Sequence, residues 1–373
     1  MARAFKVSLN MRVLLITGSF PPMRCGVGDY THHLGKALAA IPEISVGVLT
    51  NTCCGKIGKV DNIECFPVIK AWNISESLKI IKIIRQWSPD VVHIQYPTQG
   101  YGSGFLPWLL PLISYALGKK VVQTWHEVYG RRSAWKLFLK AIIPGGLVVV
   151  RPEFKDILPS SLHWSLWNKQ YAFIRNASPI PKADHDETAK ADLRRHYLKG
   201  QKQLLVFFGF VYPNKGVELL FEMADPALSQ IVIAGAIVED SDYHNKIISL
   251  ASSAEWSGKV SVTGFLPSSD IAALLAIADA VILPYRTGGG EWNTSIHAAV
   301  LQGTFVITTA STAKGYDEKN NVFYAKVDDV QEMKTALQLY AGKRRQYDDD
   351  IDRDEWQQIA NKHRLLYDRI VSE

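Results

Sequence analysis

Ten short runs, apolar on both faces and rich in β-branched residues, recur along the chain with helix-length patterns between them. In the first half they are Val13–Thr17, Val46–Thr50, Val91–Gln95, Val121–Trp125 and Leu147–Val150. In the second half they are Leu204–Phe208, Ile231–Ala234, Val260–Thr263, Ala280–Pro284 and Phe305–Thr309. A strand apolar on both faces is buried on both faces, as parallel strands are when helices cover a sheet from either side. Alternation of such strands with helices implies βαβ units, and right-handed crossovers wind them into doubly wound sheets. About six strands fill one sheet of this kind, so ten or more predict two Rossmann-like domains. The 373-residue length suits two cores.

The break between the two series is a polar, charged stretch around Pro179–Gln203 that bears no strand signal. The reading is therefore a first domain over 1–180, a linker over 181–200, a second domain over 201–345 and a tail over 346–373. The tail opens on Asp348, Asp349 and Asp350. It then places Trp356, Ile359, Leu366 and Ile370 at helical spacing, which suits a helix that crosses back to the first domain.

Composition excludes several classes. With 47% hydrophobic residues and a net charge of +6, the chain is neither disordered nor charged enough to imply nucleic acid. Cys25, Cys53, Cys54 and Cys65 have no zinc-site spacing and are too few for a disulfide scaffold, which predicts a reducing, cytoplasmic setting. No uncharged run reaches 18 residues, and the apolar stretch from Phe105 to Leu117 is interrupted by Pro107 and Pro111. The basic, then apolar, N-terminus has the outline of a signal peptide, but Val13–Gly18 before a Pro-Pro turn reads better as a first strand, with Met11 a candidate start.

Ligands of open α/β sheets bind beyond the carboxyl ends of the strands, at a cleft that two facing domains would form. Gly26 and Gly28 follow the first strand and its Pro-Pro turn and precede a helix. They either expose backbone N–H groups to an anion or simply make a tight turn. The dinucleotide fingerprint is absent, since the third glycine is missing and the second strand ends in Thr50-Asn51 without a carboxylate, which demotes a nicotinamide enzyme. His126, after the strand Val121–Trp125, can hydrogen-bond a sugar hydroxyl or be satisfied locally. Arg151 can neutralise a phosphate or pair with Glu153 or Asp156.

In the second half, Lys215 is placed at the start of a helix, where a cation opposes the dipole and is better explained by an anionic ligand. The run from Tyr285 carries Gly288, Gly289 and Gly290, then Asn293, Thr294 and Ser295 as a helix opening. Such an end can cradle a diphosphate, or it can be a flexible linker with an ordinary cap.

These elements, in this order, resemble the retaining nucleotide-sugar glycosyltransferase family 4. The fragments are FPP-x3-GVGDYTHHLGKAL, TWHE, IRNAS, GF-x4-KG, VTGFLPSSDIAALLAIADAVILPY and TSIHAAVLQGTFVITT. The resemblance spans nearly the whole chain and implies the α/β GT-B fold of two facing Rossmann-like domains. It implies a nucleoside diphosphate sugar as donor, bound by the second domain, and a glycan or lipid-linked acceptor held by the first. By the same resemblance Gly26 and Gly28 approach the donor, His126 lies near the transferred sugar and Lys215 binds the diphosphate. Thr294 and Ser295 cap its distal phosphate, Gly264, Phe265 and Leu266 line the base, and no cofactor or metal is required.

Two positions depart from the family pattern. Phe210 follows Gly209 where the family has arginine, and the paired glutamates fall on Gly290 and Ala298, with Glu291 one residue away as a stand-in. The alternative these departures raise is a GT-B-shaped binding subunit without turnover. A last expectation concerns residues 130–146. Arg131, Arg132, Lys136 and Lys140 interleave there with Trp135, Leu137, Phe138, Leu139, Ile142 and Ile143 and no acid. That is the composition of an interfacial helix on an anionic membrane, or of a sheet-packed helix with a basic edge.

Overall fold

In a computed structural model, the structure describes residues 10–56, 58–127, 134–151, 154–235, 241–290, 292–312, 314–345 and 355–372; of residues 134–137 and 157 only the backbone is described. The chain forms two compact units, one comprising residues 1–177 and 354–373 and the other residues 178–353.

The first unit is built on eight strands, β1 (Met11–Ile16), β2 (Ile44–Asn51), β3 (Gly58–Val60), β4 (Ile63–Ile69), β5 (Val91–Tyr96), β6 (Lys120–Trp125), β7 (Gly145–Val149) and β8 (Lys169–Phe173). They lie in the order β3-β4-β2-β1-β5-β6-β7-β8, all parallel except β3, which pairs antiparallel with β4. Val13 to Ile16 and Val91 to Ile94 are fully buried, as strands covered on both faces must be. One face packs α1 (Gly26–Ala39) and the C-terminal helix Glu355–Ser372. The other packs α2 (Ser77–Trp87), α3 (Leu106–Ala116) and α4 (Ala134–Ala141).

The C-terminal helix belongs to this first unit because its apolar stripe has a partner there. Ile359, Ala360, His363, Leu366, Tyr367 and Ile370 recur at three- and four-residue steps, and the apolar ones enter the same core as Leu34 and Leu38 of α1. Ion pairs Arg364–Glu43 and Arg175–Glu355, each at 3.3 Å, flank the stripe. A β-carbon at Gly146 on β7 would meet the terminal methyl of Ile370 at 2.5 Å and Val122 at 3.1 Å, so a side chain there would require Ile370 to shift where the helix crosses the sheet.

The second unit holds β9 (Gln203–Phe208), β10 (Ser229–Ala234), β11 (Val260–Gly264), β12 (Ala280–Leu283), β13 (Val306–Ala310), β14 (Gly315–Asp317) and β15 (Val322–Lys326). Their order is β11-β10-β9-β12-β13-β15-β14, parallel except β14. The stretch read as a linker is not one: within it α5 (Glu187–Leu198), capped by Asp186, belongs to this unit, and its Arg194 pairs with Asp279 at 2.8 Å. The sheet is closed over by α6 (Leu219–Met223), α7 (Asp242–Ala251), α8 (Ser268–Ile277), α9 (Thr294–Leu301) and α10 (Val330–Tyr340). The C-terminal helix of the first unit is α11 hereafter.

Candidate functional site

Strands β9, β12 and β13 run parallel, so their carboxyl ends share one end of the second sheet. After β9, Gly209 has φ +137°, and a β-carbon there would sit 3.4 Å from Ser295 Oγ at the start of α9. Next, Pro213–Lys215 form a single 3-10 turn closed by Gly216 at φ +64°, whose β-carbon would collide with the Pro284 carbonyl. The loop after β9 is thereby pressed against the end of β12.

Lys215 does not open a helix, since α6 begins only at Leu219; the dipole argument for it therefore fails. Instead its ammonium lies 4.3 Å from the centre of the Tyr285 ring. Burial pushes the Tyr285 hydroxyl up, and that hydroxyl donates to Asn293 Oδ1 at 3.2 Å. Asn293 is the N-cap of α9, its Oδ1 accepting from the N–H groups of Ser295 at 3.0 Å and Ile296 at 3.3 Å. Lys215 and the positive end of α9 thus meet across one tyrosine. Tyr285 was not singled out in the sequence because an aromatic after a strand reads as core.

The triple glycine is ordered rather than a loose linker: Gly289 N donates to Thr309 O at 2.7 Å, and β-carbons at Gly289 and Gly290 would strike Thr308 and Trp292. Glu291 lies outside the described residues. Gly264, at φ +66°, ends β11, followed by exposed Phe265 and half-buried Leu266 at the same end of the sheet, two strands from β9.

Behind Lys215, buried Glu218 accepts from Arg286 at 2.9 Å, from Lys246 at 3.3 Å and from the Tyr243 hydroxyl. Burial alone would raise this carboxyl, but Tyr243 and Arg286 hold it below its ordinary value. Tyr243 Oη also receives Val217 N at 2.9 Å, and Arg286 N donates to Asn214 O at 3.0 Å. The Lys215 loop is therefore clamped on both sides. No spacing in the sequence joins residues 218, 243 and 286.

In the first unit, Gly26 and Gly28 lie inside the first turn of α1 rather than in a loop before it. A β-carbon at Gly28 would sit 3.0 Å from the Ser19 carbonyl, whereas Gly26 faces open space. Close helix–loop packing thus explains Gly28. Asn51 ends β2 by donating to Gly18 O at 2.7 Å and Gly100 O at 3.0 Å while accepting from Trp72 Nε1. The loops after β1, β2 and β5 are knitted together by this amide.

His126 follows β6 and is 7% exposed. Its Nε2 lies 3.0 Å from Gln95 Oε1, and its ring meets Tyr30 edge-on at 4.8 Å. Burial, then the nearby His363, push it down to about 3, so it is neutral. Arg151, after β7, donates from its Nη2 to both carboxylate oxygens of Glu127 at 2.9 Å, while Glu153 lies outside the described residues. Among the described residues no group of His, Cys, Asp and Glu could hold a metal ion, and no helix is long and apolar enough to cross a membrane.

Residues 25–160 match the family described as Glycosyltransferase Family 4, and residues 202–341 match Glycosyl transferases group 1. No curated protein matches the sequence. Among solved structures, a glycosyltransferase from Rickettsia africae superposes with a TM-score of 0.69 at 15% identity, over 96% of this chain and 93% of that one. HepE of Anabaena in complex with UDP and glucose gives 0.65 at 13% identity, over 97% of each chain. The catalytic domain of starch synthase IV from Arabidopsis thaliana, bound to ADP and acarbose, gives 0.68 at 15% identity, over 98% of this chain and all of that one. Two doubly wound α/β units in this order define the GT-B class of glycosyltransferase. Within that class, the two family matches together take up most of the sequence, and the chain belongs to glycosyltransferase family 4.

Proposed function

We propose that this protein moves a sugar from a nucleoside diphosphate sugar to a hydroxyl acceptor with retention of anomeric configuration, in the assembly of a polysaccharide or glycoconjugate. The observation that carries the reading is the meeting of Lys215, Tyr285 and the N-terminus of α9. Departure of the diphosphate concentrates negative charge on its oxygens while the sugar becomes oxocarbenium-like. An ammonium and a helix end held in advance beside that charge need no rearrangement in the transition state, and one such donor is worth about 2.7–4 kcal/mol. In this reading the compensation comes from Lys215, Thr294 and Ser295 rather than from a divalent ion. His126 is assigned a hydrogen bond to a sugar hydroxyl. That two of the structural relatives are complexes with UDP or ADP supports a nucleotide donor.

The test is thermal stabilisation by a panel of UDP-, GDP- and ADP-sugars, since a ligand of the native state alone raises Tm. One of them is expected to stabilise wild type and not Lys215→Ala; stabilisation by none removes the reading. Slow release of free nucleotide without acceptor separates an enzyme from a silent binding subunit.

A second observation favours an acceptor at an anionic membrane. Between residues 91 and 177 the only acids are Glu127, Glu153 and Asp156, against ten lysines and arginines. Of these, Lys169 is buried, and Lys140, read from the sequence as part of the basic face, is instead buried against Tyr96, Trp108 and Trp125. The same stretch exposes Phe138, Trp164, Trp167, Tyr171 and Phe173, with Trp167 80% exposed. Residues 130–133 of the basic segment lie outside the described residues. Basic charge with exposed tryptophan suits the lipid headgroup boundary. Cosedimentation with phosphatidylserine vesicles that weakens with salt supports this; equal recovery without vesicles removes it.

A further inference from the structure

Polar side chains buried beneath His126 form one connected path through the first unit. Gln95 Oε1 lies 3.0 Å from His126 Nε2, and Gln95 Nε2 lies 3.2 Å from His93 Nε2. The Thr124 hydroxyl reaches that same His93 nitrogen at 2.7 Å, and His93 Nδ1 is 2.7 Å from the Tyr367 hydroxyl of α11. His93, Gln95, Thr124 and Tyr367 are fully buried. The path therefore ties the strand ends of β5 and β6 to a helix near the chain terminus.

The chemistry of each group gives the path a direction. An amide carbonyl only accepts, so His126 Nε2 carries its proton. An amide NH2 only donates, so His93 Nε2 is bare and also accepts from Thr124. A neutral His93 then has its proton on Nδ1, aimed at the Tyr367 oxygen. Desolvation keeps both imidazoles neutral. We propose that Tyr367, His93 and Gln95 are positioning residues that hold His126 as the Nε2–H tautomer, leaving its Nδ1 as a hydrogen-bond acceptor for a hydroxyl of the bound sugar. The last part rests on the assignment of His126 to sugar contact; the tautomer relay does not.

Removing the Tyr367 hydroxyl leaves the His93 Nδ1 proton buried without an acceptor, an expensive state. The proton then moves to His93 Nε2, where Thr124 Oγ1 and a turned Gln95 carbonyl accept it. The turned amide donates to His126 Nε2, and the His126 proton moves to Nδ1. A single oxygen on the C-terminal helix thus decides which face of His126 is a donor.

Long-range 1H–15N NMR of the histidine-labelled full-length chain reads the proton on each ring nitrogen. Wild type is expected to show His126 protonated at Nε2 and His93 at Nδ1; the opposite pattern overturns the relay even if no variant folds. Tyr367→Phe is expected to strip the proton from His126 Nε2. Adding Gln95→Glu, whose carboxylate can only accept, is expected to restore it. An unchanged His126 in Tyr367→Phe, or no restoration in the double variant, overturns the relay. With UDP-glucose as probe donor, Tyr367→Phe is expected to lower kcat/KM for nucleotide release about tenfold or more while UDP affinity holds. A switched tautomer with unchanged kcat/KM leaves the relay standing and overturns the role of His126 toward the sugar.

Discussion

Arg286 meets Glu218 at 2.9 Å and in the same stroke donates its backbone N–H to Asn214, so one residue braces the helix after Lys215 and the turn before it. Glu218→Gln keeps the shape and removes the charge. It leaves Arg286 and Lys246 facing a neutral amide, with Asp328 still accepting from Arg286, and an expected loss of about 1–3 kcal/mol follows from the weakened charge-assisted hydrogen bonds. Urea unfolding measures it. Nucleotide affinity is expected to fall as well, because the loop that carries Lys215 loses one of its two braces.

Lys215→Met retains most of the stem over Tyr285 and deletes the ammonium. Turnover of the donor is expected to fall by about 2.7–4 kcal/mol in activation free energy, on the order of a hundredfold or more. The melting temperature is expected to stay close to that of wild type. Turnover within twofold of wild type would place the diphosphate elsewhere.

Two glycines separate conformational need from ligand approach. Gly216→Ala meets both a left-handed φ of +64° and the Pro284 carbonyl, and a loss of about 1–3 kcal/mol or more is expected in thermal unfolding. Gly26 sits in α1 with nothing within 4 Å of a β-carbon, so alanine is expected to be tolerated and to add about 0.5–1 kcal/mol of helix stability. A drop in donor affinity in this stable variant would show that the open face of Gly26 is approached by ligand.

Acid is expected to weaken the first unit through its buried imidazoles. Burial pushes His126 down to about 3 and His363 to about 4, and holds His93 well below the ordinary 6.5. The unfolded chain takes up these protons near 6.5 and the folded one does not. Stability is therefore flat above that pH and is lost as pH falls from about 6.5 toward 4. Each histidine contributes up to about 1.4 kcal/mol per pH unit in that window. Urea midpoints at pH 8, 6.5 and 5 measure it, and His363→Asn is expected to flatten the slope.

Much of the fold was legible because burial on both faces leaves a one-dimensional mark. Every run read as a strand overlaps one in the structure. Five strands among the described residues were not read: β4 contains Pro67, the edge strands β3, β8 and β14 are exposed or only half-buried, and β15 carries half-buried Phe323 and exposed Lys326 between and after its buried residues. The site was legible only in part. Asn293, Thr294 and Ser295 announce a helix opening by residue type alone. Lys215, by contrast, was placed on a helix because the turn at Gly216 that excludes it is set by contact with Pro284, 68 residues on.

What the sequence determined by itself was the class: two series of doubly buried strands, the helices between them and the glycine-rich ends where a ligand can approach. These follow from local patterns, because a residue's solvent exposure in a sheet or helix repeats with the geometry of that element. What only tertiary structure decided was partnership. Glu127 accepts from Arg151, Tyr285 joins Lys215 to α9, and Tyr367 reaches back to His93. Such pairs are made by distance in space between segments far apart in the chain, and hydrogen bonds and ion pairs act over a few ångströms irrespective of that separation.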